Sequence, residues 1–199
     1  SVWVYFGYDQ AVGGYQFIEK VEWIPKLGIS YHVGVDGMNL PLVLLTGIVI
    51  FTGVLISWGI DDRPREFFGF LFILASGVFG VFVALDLFML FFFYEIAVFP
   101  MYLLIAIWGW KVTREYAAMK LTLYLLAGSA FILVALFMLY VEGSEQLPSA
   151  TFDLVELRDL AVSPGLAQAI FLMLYVGFGV LAGIWPFHTW SPDGHAAAP

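Results

Sequence analysis

The chain has 199 residues, 62% of them hydrophobic and 12% charged, with a mean hydropathy of +0.92. A soluble domain usually carries about twice that charged fraction, and several charge-free runs approach the ~20 residues a helix needs to cross ~30 Å of hydrocarbon. A soluble globular domain is thereby excluded in favour of an all-α, polytopic membrane protein. No cysteine is present, so disulfides and thiolate metal sites are excluded as well.

In chain order, residues 1–39 are mixed and aromatic. "SVWVYF" at 1–6 reads as the tail of an earlier span, and "EKVEWIPKLGISYHVGVDG" at 19–37 as irregular structure on the membrane surface. Five spans are predicted at 40–58, 67–85, 87–108, 121–141 and about 166–187. The first is neither N-terminal nor preceded by a basic segment, so a cleaved signal peptide does not account for it. Asp36, just ahead of it, suits a helix N-terminus. Spans two and three are separated only by Asp86, a tight helical hairpin with Asp86 read as a solvated turn residue. Residues 142–165 form a polar loop that ends in "SPG", with Ser163 as cap and Pro164 in the first turn of the fifth span. Gly179 and Gly183 are spaced for close helix packing. The start at Ser1 and the stop at "HAAAP" suggest an internal piece of a longer chain.

The formal charge of −8 is unevenly placed. Arg63, Arg65, Lys111, Arg114 and Lys120 all fall in the two short loops after spans one and three. The opposite side has Lys20, Lys26 and Arg158 against ten acids, among them Asp36, Asp86, Asp153 and Glu156. By the positive-inside rule the N-terminal segment faces outside and the residues after span five face inside.

Glu95 is the one charge in the 22-residue run 87–108 and lies within about one turn of its middle. A charge there costs ~2.5–3.5 kcal/mol on insertion scales, so the group pairs with a cation or takes up a proton. A carboxyl held between those two pulls can load and release a proton; the simpler reading is a neutral acid that hydrogen-bonds between helices. Pro100, five residues on, leaves the Ile96 carbonyl without its usual partner. Lys120, at the start of span four, either snorkels to the inner interface or joins a proton path.

In "GFGVLAGIWPFHTWSPDGHAAAP", Gly177, Gly179, Gly183 and Pro186 interrupt a helix near membrane depth. Such breaks are tolerated where protein or a water-filled cavity satisfies the backbone, and they mark transport sites. His188, Asp193 and His195 lack the further ligands that a metal centre needs; a histidine in a proton relay fits better. No span has a central histidine to hold haem. No phosphate-cradling glycine loop or basic nucleic-acid patch is present.

Four ordered stretches, "GVDGMNLPLVLLT", "LDLFMLFFFYEIAVFPMYLLIAIWG", "REYAAMKLTLYLLAGS" and "WPFHTWSPDGHAAAP", resemble the antiporter-like membrane subunits of proton-pumping NADH–quinone oxidoreductase (complex I). The M-type subunits, counterparts of mitochondrial subunit 4, are the most similar. Multisubunit cation/proton antiporters and membrane-bound hydrogenases share parts of the pattern. The resemblance implies a longer chain of about fourteen helices with two inverted five-helix repeats, of which this stretch holds most of the first. It places Glu95 on the family's mid-membrane glutamate, which pairs with a lysine on a broken helix, and His188 where protons pass. It also implies no cofactor in this chain, with NAD, FMN, iron–sulfur clusters and quinone in partner subunits of the membrane-embedded complex.

One position departs from the family. Its Gly-Phe-x-Val-Lys reads Gly177, Phe178, Gly179, Val180, Leu181 here, so the lysine expected opposite Glu95 is a leucine. Either another cation, such as Lys120 or a lysine beyond Pro199, serves Glu95, or this copy is a specialised variant. The expected function is proton translocation through Glu95, with Lys120 and His188 as relay members, in the membrane arm of a respiratory complex of the bacterial inner membrane. The alternatives are cation/proton exchange without redox coupling, or a structural subunit that has lost pumping.

Overall fold

Helical segments dominate the computed structural model, which describes residues 1–199. The elements are α1 (Val2–Gly7), β1 (Gln16–Ile24), β2 (Ile29–Val35), α2 (Leu40–Ile56), α3 (Pro64–Val83), α4 (Leu87–Trp108), α5 (Arg114–Gln146), α6 (Leu154–Leu157), α7 (Pro164–Ala182) and α8 (Trp190–Ala197). Five helices, α2 to α5 and α7, are long and apolar enough to cross a membrane. They run alternately between two ends: one carries the β1–β2 hairpin, and the other carries the short loops with Arg63, Arg65, Lys111 and Arg114.

The hairpin corrects the reading of residues 19–37 as irregular structure. β1 and β2 pair antiparallel around the turn Pro25–Leu27, closed by Gly28 at φ +65°. A side chain at Gly28 would also run into the Ala150 carbonyl. β1 is exposed, whereas β2 is buried between β1 and the helix ends, with Ser30 and His32 inside. β2 does alternate, with Ile29, Tyr31, Val33 and Val35 against Ser30, His32 and Gly34, but the polar and small face is fully buried and Tyr31 on the apolar face is exposed, so the alternation does not mark the usual apolar-in strand.

Asp86 is the second correction. It is fully buried, not solvated: its carboxylate accepts hydrogen bonds from Ser30 N–H (2.9 Å), Ser30 Oγ (3.3 Å) and Met89 N–H (3.0 Å). The last of these caps α4. Burial pushes its carboxyl up from the usual range, against the pull of those donors. Beside it, buried Asp153 accepts from Lys20 Nζ (2.6 Å), lies 2.8 Å from His32 Nδ1, and caps α6 through Val155 N–H. Burial pushes this carboxyl up too, but the Lys20 hydrogen bond, the Val155 amide and the His32 charge hold it below the usual range.

Backbone bonds from Leu85 N–H to the His32 carbonyl and from Leu87 N–H to the Phe152 carbonyl stitch hairpin, α3–α4 link and α5–α7 loop into one plug. Asp86→Ala removes the α4 cap and leaves the buried Ser30 donors unpartnered. An expected loss of about 2 kcal/mol follows, combining ~1 for the cap with ~1 or more for the donors. Hydrogen exchange checks it: the Ser30 amide should lose protection while the middle of α5 keeps its own. An unchanged Ser30 amide would remove Asp86 from that role.

Asp36 acts one turn ahead of α2. Its Oδ1 accepts from Met38 and Asn39 N–H, while Asn39 Nδ2 donates to the Phe82 carbonyl at 2.8 Å and ties α2 to the end of α3. α5 is longer than the predicted 121–141, at 33 residues, because charges at its two ends do not interrupt it. α7 stops at Ala182, short of 187.

Helix contacts depend on glycine, though not at the expected pair. A Cβ on Gly179 would meet nothing closer than 3.9 Å, and Gly183 is a turn residue at φ +67°. The close approach is two residues before Gly179, where a Cβ on Gly177 would lie 2.5 Å from Ile132 Cγ1 and 2.9 Å from the Gly128 carbonyl. Gly77 of α3 is similarly pressed on α4, 2.8 Å from Ala97 N and the Phe93 carbonyl.

Candidate functional site

Glu95 lies eight residues into α4, about 4 Å from the helix midpoint at 1.5 Å per residue. Its Oε1 is buried and has no hydrogen-bond partner, and no cation of the chain pairs with it. Buried polar atoms are satisfied in the large majority of cases, so a lone one in mid-span calls for an explanation.

Its depth is fixed by its neighbours. Tyr94 Oη donates to the Leu125 carbonyl of α5 at 3.3 Å. α5 in turn meets α7 where Gly128 faces Val180 and Gly177. Stepping along antiparallel helices, Leu181 comes level with Leu125 and hence with Glu95. Leu181 is partly buried and packs against the cluster formed by Tyr94, Leu121 and Leu125. The position where a lysine was expected is thus at the carboxyl's depth and holds an apolar side chain.

α7 then breaks. Gly183 N–H donates to the Val180 carbonyl (3.1 Å) and Ile184 N–H to the Gly179 carbonyl (2.9 Å), the paired bonds of a glycine-ended helix. After the turn at 184–189 the chain re-enters as α8, and Trp190 Nε1 donates to the Val180 carbonyl at 2.8 Å. Trp110 N–H bonds the Ala197 carbonyl and holds the far end of α8 against the α4–α5 loop. Of the glycines and proline predicted to interrupt the span, Gly177 and Gly179 lie inside the helix and the interruption comes at Gly183, where the Val180 and Gly179 carbonyls find protein donors.

The three candidate residues are not brought together. Lys120 Nζ is bound to Asp193 Oδ2 of α8 at 2.7 Å and lies 5.5 Å from the Tyr116 ring centroid. It therefore points to the basic end, five residues along α5 from the Leu125 level. His188 is exposed in the turn between α7 and α8. Two residues not singled out from the sequence stand between: Thr189 Oγ1 donates to Tyr124 Oη at 3.1 Å. Tyr124 lies one helical turn from Lys120 on the same face of α5, a spacing that flags it once the helix is placed.

Residues 84–199, more than half of the chain, match the family described as NADH:quinone oxidoreductase/Mrp antiporter, TM. The chain is 43% identical over 198 residues to NAD(P)H-quinone oxidoreductase chain 4 2 of Trichodesmium erythraeum, covering 98% of this chain and 34% of that protein. It is 42% identical over 191 residues to chain 4-2 of Synechocystis sp., covering 96% and 33%. The chain thus spans about a third of the length of these curated relatives. Among solved structures it is similar to a chain of respiratory complex I from Thermus thermophilus, with a TM-score of 0.84, 24% identity, and 99% of this chain and 40% of that one covered. It is also similar to a chain of the Mrp complex from Dietzia sp., with a TM-score of 0.80, 21% identity, and 99% and 21% covered.

Proposed function

The chain belongs to the NADH:quinone oxidoreductase/Mrp antiporter membrane family, and from that premise we propose that it serves as a proton-translocating membrane-arm subunit of an NAD(P)H–quinone oxidoreductase-type complex. The observation that carries this reading is the buried, unpartnered carboxyl oxygen of Glu95 in mid-span, at the depth where α7 ends. Redox chemistry takes place in partner subunits, which hold the nicotinamide, flavin, iron–sulfur clusters and quinone. Quinone reduction there shifts charge along the membrane arm, and Glu95 answers by taking a proton from the basic end and giving it up toward the hairpin end. The hairpin end faces outside and the basic end inside, as the five loop cations favour. The host membrane is the bacterial inner membrane, in line with the cyanobacterial relatives.

A second reading has its own observation. Leu181 leaves Glu95 without a cation at its depth, as in a subunit that holds the arm together and no longer pumps.

The test is to isolate the full-length chain with its native partners and reconstitute the complex in vesicles. Electron donor plus quinone should drive proton uptake with no alkali-cation gradient present. If proton movement instead follows a sodium or potassium gradient and ignores the donor, the subunit is a cation/proton exchanger and the proposal fails.

A further inference from the structure

Two polar contacts join α5 to the re-entering α8 segment on the basic-end side of the Leu125 level. The outer one is the ion pair Lys120–Asp193 at 2.7 Å, with Lys120 only 18% exposed and Asp193 44%. The inner one is the hydroxyl pair Thr189–Tyr124 at 3.1 Å. Lys120 and Tyr124 are one helical turn apart, so the two contacts are stacked along the membrane axis and the hydroxyls lie deeper by about 6 Å. One residue beyond Tyr124 is Leu125, whose carbonyl receives Tyr94 next to Glu95.

A proton conductor needs groups that both accept and donate. Hydroxyls do so; an ammonium locked to a carboxylate does so only by breaking its pair. Either hydroxyl of the Thr189–Tyr124 pair can donate to the other, and the Tyr124 hydroxyl makes no other hydrogen bond in the chain. Tyr124 is partly buried against the same cluster as Leu181. Tyr124 thus lies between the ion pair and the Leu125 level that Tyr94 reaches, and its hydroxyl has hydrogen-bonding capacity to spare.

We infer that the Thr189–Tyr124 hydroxyl pair, shielded from the basic end by the Lys120–Asp193 ion pair, is the proton inlet of Glu95, standing in for the lysine missing at Leu181. A proton reaching the Thr189 oxygen displaces that hydroxyl's own proton to Tyr124. Tyr124 passes its proton on through water to the Glu95 carboxylate, which becomes a carboxylic acid. Each hydroxyl gains one proton and loses one, and rotation of the two O–H groups resets the pair. Lys120 and Asp193 are positioning residues: they hold α8, and with it Thr189, against Tyr124.

The inference rests on the proposed function, and its test separates the two. Tyr124→Phe and Thr189→Val each remove a single hydroxyl at nearly constant volume; Thr189→Ser keeps it. In the intact reconstituted complex, both deletions are expected to slow donor-driven proton uptake about tenfold and to raise its solvent deuterium isotope effect. Thr189→Ser should stay near the unaltered rate. A defect that was only structural would lower the rates in H2O and D2O alike, and native gels would show lost assembly. If Glu95→Gln stops uptake while Tyr124→Phe and Thr189→Val leave rate and isotope effect unchanged, the inlet lies elsewhere and the inference is overturned with the function intact. If Glu95→Gln itself changes nothing, the proposed function fails first.

Discussion

Glu95→Gln in the intact complex is expected to lower donor-driven quinone reduction and proton uptake together, by about tenfold or more, while assembly is unchanged. The size follows from what a positioned acid–base group usually contributes to a proton-transfer step. Glutamine fills the same volume and has both an acceptor and a donor, so it reproduces a neutral carboxyl in all but its proton. The substitution therefore separates a group that titrates during turnover from one that merely hydrogen-bonds. Glu95→Asp, with a shorter reach and the same chemistry, should retain part of the activity. The orphaned Oε1 makes the contrast clean, because no partner in this chain is broken by the change. Should Glu95→Gln leave both rates untouched, Leu181 would acquire its plain meaning: an idle channel in a subunit kept for its contacts.

Charge and hydropathy were enough to find the five long helices and their two ends, because a membrane makes length and charge placement nearly the whole problem. What stayed hidden was long-range polar pairing. Asp86, alone between two apolar runs, reads as a turn; its partner Ser30 is 56 residues away, in a strand whose polar and small face is the buried one. Lys120 and Asp193 are 73 residues apart, and nothing in local pattern joins them. The loss at Leu181 was legible through family resemblance, but its depth beside Glu95 needed the register of α4 on α5 and of α5 on α7. Glycine was a partial signal: the sequence marked a small-residue stripe on the fifth span, and packing selected Gly177 from it over Gly179 and Gly183.

That selection carries a large expected effect of its own. In an exposed helix, Gly→Ala is stabilising by roughly 1 kcal/mol, through backbone entropy. Gly179→Ala should show this sign, since its new methyl reaches nothing closer than 3.9 Å. Gly177→Ala, two residues away, should have the opposite sign. Its methyl would sit 2.9 Å from the Gly128 carbonyl and 3.1 Å from Ile132 N, backbone atoms that cannot turn aside. α5 and α7 must then separate, at a cost of about 1–3 kcal/mol for overpacking. Membrane helices draw little on hydrophobic attraction for one another and depend on close van der Waals contact, so separating this pair forfeits most of what joins them. α7 also carries Leu181 and the break at Gly183, so the shift would move the α8 segment and its contacts with Lys120 and Tyr124. Gly177→Ala should therefore lower both the thermal midpoint of the assembled complex and its coupled activity, while Gly179→Ala lowers neither. Equal behaviour of the two variants would mean that α5 and α7 are not held together at Gly128 and Gly177.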